Sequence, residues 1–377
     1  MVFAGVAPFK GIYDTGAPTA HCGQDMKNCI SPYVVIPTVP LIAEKPFISA
    51  DNTTGKYSLH IPTPRRNSTG ADVSADGCTS NGTDCKTMWN TVPSVDFSTV
   101  YVATAKDTAK VINDKLVSGL HVVMSPGIYE LEESLQLTHD GQVLLGVGLA
   151  TLIPTAGTPA VTVSGKSKGC RVAGLLLQAG TKLSPTLLQW GDPSPDGKKT
   201  KKSADADADA DADAEPVKDA DYGFIHDVNA RVGGPKLAAG AQAMTSNMVQ
   251  IDSSNVIGDN MWLWRADHVQ TDVPLNETNS TTGLVYNGTN PCDNAIVVNG
   301  DDVHMYALAA EHCLKDLVVW NGERGATYMF QSEMPYDVKT YPYSGYKVRT
   351  GSACGRGTHP DTIHIVAHHS VAIADQC

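Results

Sequence analysis

No stretch of this chain approaches the roughly 18 uninterrupted apolar residues that a membrane-spanning helix requires, so the chain is not expected to be a membrane protein. Basic residues are scarce: 28 Lys and Arg stand against 40 Asp and Glu, a formal net charge of −12. Contacts to phosphate backbones or anionic lipid need an excess of Lys and Arg, which excludes a nucleic-acid or anionic-membrane partner and favours a neutral substrate. The opening "MVFAGVAPFKG" lacks a charged segment followed by an apolar one, so no signal peptide is visible and the true start is expected to be missing. Also absent are GxxxxGK[ST], GxSxG and paired CxxC motifs, which leaves phosphate-loop, serine-hydrolase and zinc-ribbon readings without support. The one histidine cluster, His364, His368 and His369, has no acidic ligand at matching spacing, so neither metal nor cofactor is expected.

A repeat is present. "NGDDVHMYALAAEH" (299–312) and "NGERGATYMFQSEM" (321–334) align without a gap at an offset of 22, keeping Asn299/Asn321, Gly300/Gly322, Tyr306/Tyr328 and Glu311/Glu333 in step. Upstream, β-rich runs such as "SLQLTHDGQVLLGVGL", "AVTVSGKSKGCRVAGLLLQAG" and "MVQIDSSNVIGDNMWLWRADH" alternate with Gly, Asn, Asp and Ser breaks and no helical stretches. Short strands at a period of roughly 20 to 25 residues predict an all-β parallel β-helix, a solenoid whose coils stack about 4.8 Å apart. "TAKDTAKVINDKLVSG" (104–119) has helical apolar spacing and Gly119 as a stop signal, and predicts an amphipathic helix capping the solenoid. Residues 1–95 read as an irregular lead-in with short strands, 96–348 as the β-helix, and 349–377 as a tail that adds no coils. Within the solenoid, 198–221 combines lysines with strict Ala-Asp alternation and predicts a disordered insertion.

The chain has 9 cysteines. Cys22/Cys29 and Cys78/Cys85 sit in polar loops and predict small disulfides, with Cys292/Cys313 and Cys354/Cys377 as further candidates, while Cys170 reads as a free core thiol. Sequons at Asn52, Asn67, Asn81, Asn276, Asn279 and Asn287 predict a secreted glycoprotein.

Aligning the coil ends "WRADH", "LAAEH" and "FQSEM" puts Asp267, Glu311 and Glu333 in one column, with a loop insertion after Asp267. Stacked carboxylates repel, so a column persists either as an exposed, screened ladder or as a site that uses raised pKa values. Neighbours would lie about 5 Å apart and next-but-one members about 10 Å, a range that brackets both separations used by glycosidase carboxyl pairs. Asp301 and Asp302 form a second acidic focus beside Gly300, either a site or simply a turn, with Glu323 and Arg324 at the matching position of the next coil. Trp264, Trp320 and Tyr336 offer aromatic faces suited to sugar rings, and Arg265, His268 and His312 complete the candidate substrate-binding set.

Together "SPGIYELEESLQLTHDGQVLLGVGLATLIP", "MWLWRADH", "NGDDV", "WNGERGATYMFQSEMPYD" and "GYKV" resemble secreted pectin-lyase-like right-handed β-helix proteins, nearest to the α-1,3-glucanases (mycodextranases). The resemblance covers roughly 120–348 and implies a right-handed solenoid acting on polysaccharide. By likeness to the inverting polygalacturonases of that class, Asp267 would match their lone Asp and Asp301-Asp302 their Asp pair, although their "GHG" and "RIK" elements are absent here. The expected activity is hydrolysis of a neutral glucan by carboxylate acid–base catalysis. The alternatives are a non-catalytic polysaccharide-binding or structural solenoid, and a polysaccharide lyase using Arg265, Arg324 or Lys347 as its cation.

Overall fold

The computed structural model describes residues 38–68, 92–193, 217–270, 283–348 and the backbone of 364–367. Most of them form two parallel sheets, one of 11 strands and one of 7. From Leu135 to Val348 the chain passes back and forth between the sheets, so each circuit adds a strand, sometimes broken in two, to each of them. Inward-facing residues then stack on their own kind. Val161, Leu188, Val249, Ile296 and Val318 form one register column, and Leu152, Leu177, Ala230, Leu263 and Ala310 another, all with at most 1% exposure. Strands buried on their inner face and paired on both edges favour Val, Ile and Leu, as the apolar runs show.

The 22-residue repeat is realised as predicted: the strand His304–Glu311 pairs in parallel with Ala326–Glu333, Glu311 opposite Glu333. Two contacts explain its Asn-Gly start. The Asn321 amide donates to Asn299 Oδ1 at 2.7 Å, and Asn299 donates to Asp252 one coil earlier, forming a polar ladder. Behind it the backbones approach so closely that a Cβ on Gly322 would lie 1.8 Å from the Gly300 carbonyl oxygen, and one on Gly300 1.9 Å from that of Ser253. Only glycine fits such a stack.

A column of left-handed residues, Gly174, Asp227, Asn260, Ala307 and Met329, bends each circuit of the large sheet at one level. The bend separates two arms. On the earlier arm Phe224, Ile257 and Tyr306 are covered by Val39, Leu41, Ile42 and Ala43 from the N-terminal segment, whose strands Val39–Ile42 and Arg65–Ser68 pair antiparallel. The lead-in therefore contributes a packed cover in its described part. On the later arm lie Trp262, Trp264, Glu311, Gln331 and Glu333.

The helix Ala109–Val117 starts at Thr108, whose hydroxyl accepts from Val111 N, and buries Ala109, Ile112 and Leu116 against the core beside Leu135–Leu137, the edge strand of the small sheet. Gly119, at φ 85°, follows its end as the sequence predicts. Three expectations need correction. The strand His364–Ala367 joins the large sheet in parallel beside Ala326–Glu333, so part of the 349–377 tail continues the coils. Cys292 and Cys313 are buried thiols 3.2 Å apart and form no disulfide. At the end of the 198–221 segment, Asp219–Asp221 is an ordered 3-10 turn in which Asp219 pairs with Arg66 and Asp221 with Lys168. Cys170 is a free buried thiol, its pKa pushed up to about 12 chiefly by burial. Cys22, Cys29, Cys78, Cys85, Cys354, Cys377, Asn81, Asn276, Asn279, His368, His369 and the Ala-Asp tract lie outside the described residues; Asn52, Asn67 and Asn287 are exposed.

Candidate active site

Glu311 and Glu333 end two adjacent parallel strands and occupy register-paired positions, at the roughly 4.8 Å spacing of neighbouring strands. Their surroundings differ. Glu311 is 8% exposed, and burial raises its carboxyl pKa, opposed by a hydrogen bond from Trp262 and reinforced by the charge of Glu333. The Glu333 side chain is 41% exposed. It accepts from the Gln331 amide at 3.1 Å on Oε1 and from the Tyr336 hydroxyl on Oε2. His312 is buried, with Nδ1 3.0 Å from the Met334 carbonyl oxygen; since a carbonyl only accepts, Nδ1 carries the hydrogen. Its Nε2 lies 3.7 Å from Glu333 Oε2.

Tyr336 closes the group. Its ring packs on His312 with centroids 4.6 Å apart, and its phenol pKa is pushed up to about 12 by the hydrogen bond to Glu333, by burial, and by the charges of Glu333, Asp267 and Glu311. Beside the acids, Trp262 and Trp264 stack with centroids 5.2 Å apart at 18°, and Trp264 meets His268 at 5.2 Å. Trp262 is 44% exposed and Tyr336 70%, so two aromatic surfaces face solvent beside the paired carboxyls.

The predicted column is corrected at one member. The residue opposite Glu311 on the preceding coil is Trp264, and Asp267 lies three residues further on. The resemblance between "ADH" and "AEH" misled because strand hydrogen bonds set the register, and the excursion of the chain begins directly after Arg265. Asp267 still faces the group through its effect on Tyr336, and binds His268 at 2.9 Å.

Asp301 and Asp302 stand elsewhere. They precede the same strand that Glu311 ends, eight residues whose length is on the order of 20 Å. Asp302, in the left-handed conformation, pairs with Arg324 at 2.8 and 3.0 Å, and Asp301 accepts from Glu323 N at 2.8 Å. Of the two readings the turn is the one realised: these residues knit two coils together, and Glu323 and Arg324 share that distant position. Trp320 is fully buried and stacks on Tyr346 at 6.0 Å, so it belongs to the core. Arg265 is also fully buried, in an ion pair with Asp337. Trp262 is more exposed than its predicted neighbour, and Gln331 and Asp337 escaped prediction. Gln331 was in principle findable, two residues before Glu333 and hence on the same strand face; Asp337 had no local signal. Among the described residues no three His, Cys, Asp or Glu side chains come together as a metal-ligand set.

The arrangement, two differently buried carboxyls beside aromatic shelves, is suited to general acid–base work on a sugar. Comparison with known proteins gives the same direction. The LAM55 pectate lyase-like domain matches residues 100–333. An exo-beta-1,3-glucanase of Streptomyces sp. (strain SirexAA-E / ActE) is 32% identical over 349 residues, covering 88% of this chain and 49% of that protein. The solved structure of sacteLam55A from Streptomyces sp. SirexAA-E superposes with a TM-score of 0.65 at 29% identity, covering 88% of this chain and 52% of that one. A glutamate-to-alanine variant of it in complex with glucose gives 0.63 at 29% identity, covering 82% and 48%. The chain thus spans about half the length of the curated relative.

Proposed function

The chain belongs to the LAM55 pectate lyase-like family, and from that premise we propose that it is a secreted, N-glycosylated glycoside hydrolase that cleaves β-1,3-glucan from a chain end on a right-handed β-helix capped by Ala109–Val117. The linkage differs from the α-1,3 expectation because the named relative is an exo-beta-1,3-glucanase. A neutral glucan also suits a chain of net charge −12.

The observation that carries the reading is the register pair Glu311/Glu333 with its unequal burial. Hydrolysis of a glycoside needs one carboxyl to protonate the departing oxygen and another to assist the attacking water or the sugar carbon. Glu311, the more buried, keeps its proton to higher pH and serves as the donor, while the more exposed Glu333, held by Tyr336 and Gln331, is its partner carboxylate. Trp262, Trp264 and Tyr336 supply ring faces on which the C–H surfaces of glucose pack, and Asp267 and His268 line the same rim. Hydrolysis is favoured over β-elimination, since Arg265 is bound to Asp337, Arg324 to Asp302 and Lys347 to Asp316.

The test is release of glucose from linear β-1,3-glucan by the purified protein and by E311Q and E333Q, each expected to lose about 10²- to 10⁴-fold in kcat. A substrate with an activated leaving group restores the variant that lacks the proton donor, and azide restores the one that lacks the base, which separates the two roles. Undiminished hydrolysis in both variants, or cleavage confined to α-linked glucan, overturns the proposal.

A further inference from the structure

Arg265 ends the Val256–Arg265 strand directly behind the acids, and every N–H of its buried guanidinium is used. Nε donates to the Asn290 carbonyl at 3.1 Å, Nη1 to the His312 carbonyl at 3.1 Å and to Asp337 Oδ1 at 2.9 Å, and Nη2 to the Thr289 carbonyl at 2.6 Å and to Asp337 Oδ2 at 2.7 Å. These partners belong to three separate stretches: the return of the excursion that begins after Arg265, the corner that follows Glu311, and the turn that follows Glu333. Asp337 Oδ2 additionally accepts from Gly288 N at 2.8 Å, fastening the excursion a second time.

We propose that Arg265 and Asp337 are positioning residues which hold the turn bearing Tyr336 against Glu333, and so set the geometry of the Glu311/Glu333 pair without touching substrate. A largely buried ion pair is a poor source of stability compared with apolar packing of the same volume. Its directional fork, however, fixes where the connected segments lie, which a flexible ammonium cannot reproduce. Tyr336 follows Met334, whose carbonyl meets His312, and its hydroxyl ends on Glu333, so a shift of the Asp337 turn moves both contacts to the carboxylate. The inference rests on the hydrolase reading above.

The experiment is a double-mutant cycle in the full chain, R265K against Y336F, with D337N in parallel, assayed on β-1,3-glucan oligosaccharide and normalised to folded protein by thermal melting. R265K and D337N are expected to lower kcat by about 10- to 100-fold, as a displacement of ~1 Å does, with KM changing less than kcat because Trp262 and Trp264, two of the three ring faces, are untouched. In the Y336F background the R265K effect should shrink to under about threefold, since both changes act through one contact. Multiplicative losses, or wild-type kcat in folded R265K and D337N, overturn the inference, as does failure of both to show a cooperative melt, for the pair would then hold the fold as a whole. If the unaltered protein releases no sugar, it is the hydrolase reading that fails instead.

Discussion

Replacing Asp259 with asparagine should stabilise the protein at neutral and alkaline pH and leave it almost unchanged near pH 4. Asp259 stands on the same strand as Trp262 and Trp264 but on the earlier arm, 6% exposed, with no hydrogen-bond partner for Oδ1 among the described residues and His226 and Tyr306 on either side in register. Burial, reinforced by the charges of Asp227 and Glu44 and opposed by Lys45, raises its carboxyl pKa from 3.8 to about 7. The sign follows from proton counts. Between pH 4 and 7 the folded chain holds a proton on Asp259 that the unfolded chain has released, so stability falls as pH rises through that window and levels off above it. About 3 pH units at about 1.4 kcal/mol each set a ceiling of about 4 kcal/mol on the loss. Asparagine mimics the protonated acid and carries no such dependence. His226, whose buried imidazole has its pKa pushed down, acts oppositely below pH 6.5 but equally in both proteins, so it cancels in the comparison. Urea titrations of the two proteins from pH 4 to 8.5 should show midpoints that coincide at the acid end and separate by roughly 1 M above pH 7. A separation independent of pH, or a less stable variant at pH 8, would refute the reasoning.

Two further outcomes are expected. Gly322→Ala places a methyl 1.8 Å from the Gly300 carbonyl oxygen; forcing two coils apart costs about 1–3 kcal/mol, seen as a drop in Tm of roughly 1 to 4 °C, and an unchanged melt would show that the stack can yield. Asp302→Asn cuts one turn loose from Arg324 on the far side of the bend. It should leave glucan hydrolysis within about threefold of wild type, whereas a hundredfold loss would return Asp302 to the reacting centre.

Much of the architecture was legible because stacked parallel strands write their geometry into the sequence. The ungapped offset between 299–312 and 321–334 follows from one backbone circuit laid directly on another, so the asparagine ladder, the glycine stack and the Glu311/Glu333 pair all recur at one spacing. Asp267 was misread for the complementary reason. The excursion after Arg265 broke the period, and a shared dipeptide was a weaker guide than the strand hydrogen bonds that put Trp264 opposite Glu311. Aromatics were ambiguous in the same way: Trp320 and Trp264 are equally apolar, and only the direction each strand faces sends one into the core and the other toward the carboxyls.

Residue order by itself determined that the chain would coil as stacked parallel strands, that two acids would stand one above the other, and that the helix near residue 110 would pack on the first circuits, because each of these depends on neighbours in sequence or on a fixed period. Only the tertiary structure decided that Arg265 is sealed behind the site with Asp337, that Tyr336 reaches back to Glu333, and that Asp301 and Asp302 serve a turn on the other side of the bend. Those contacts join segments brought together by the bends at Asn260, Ala307 and Met329 and by an excursion of irregular length, and no periodicity carries such information.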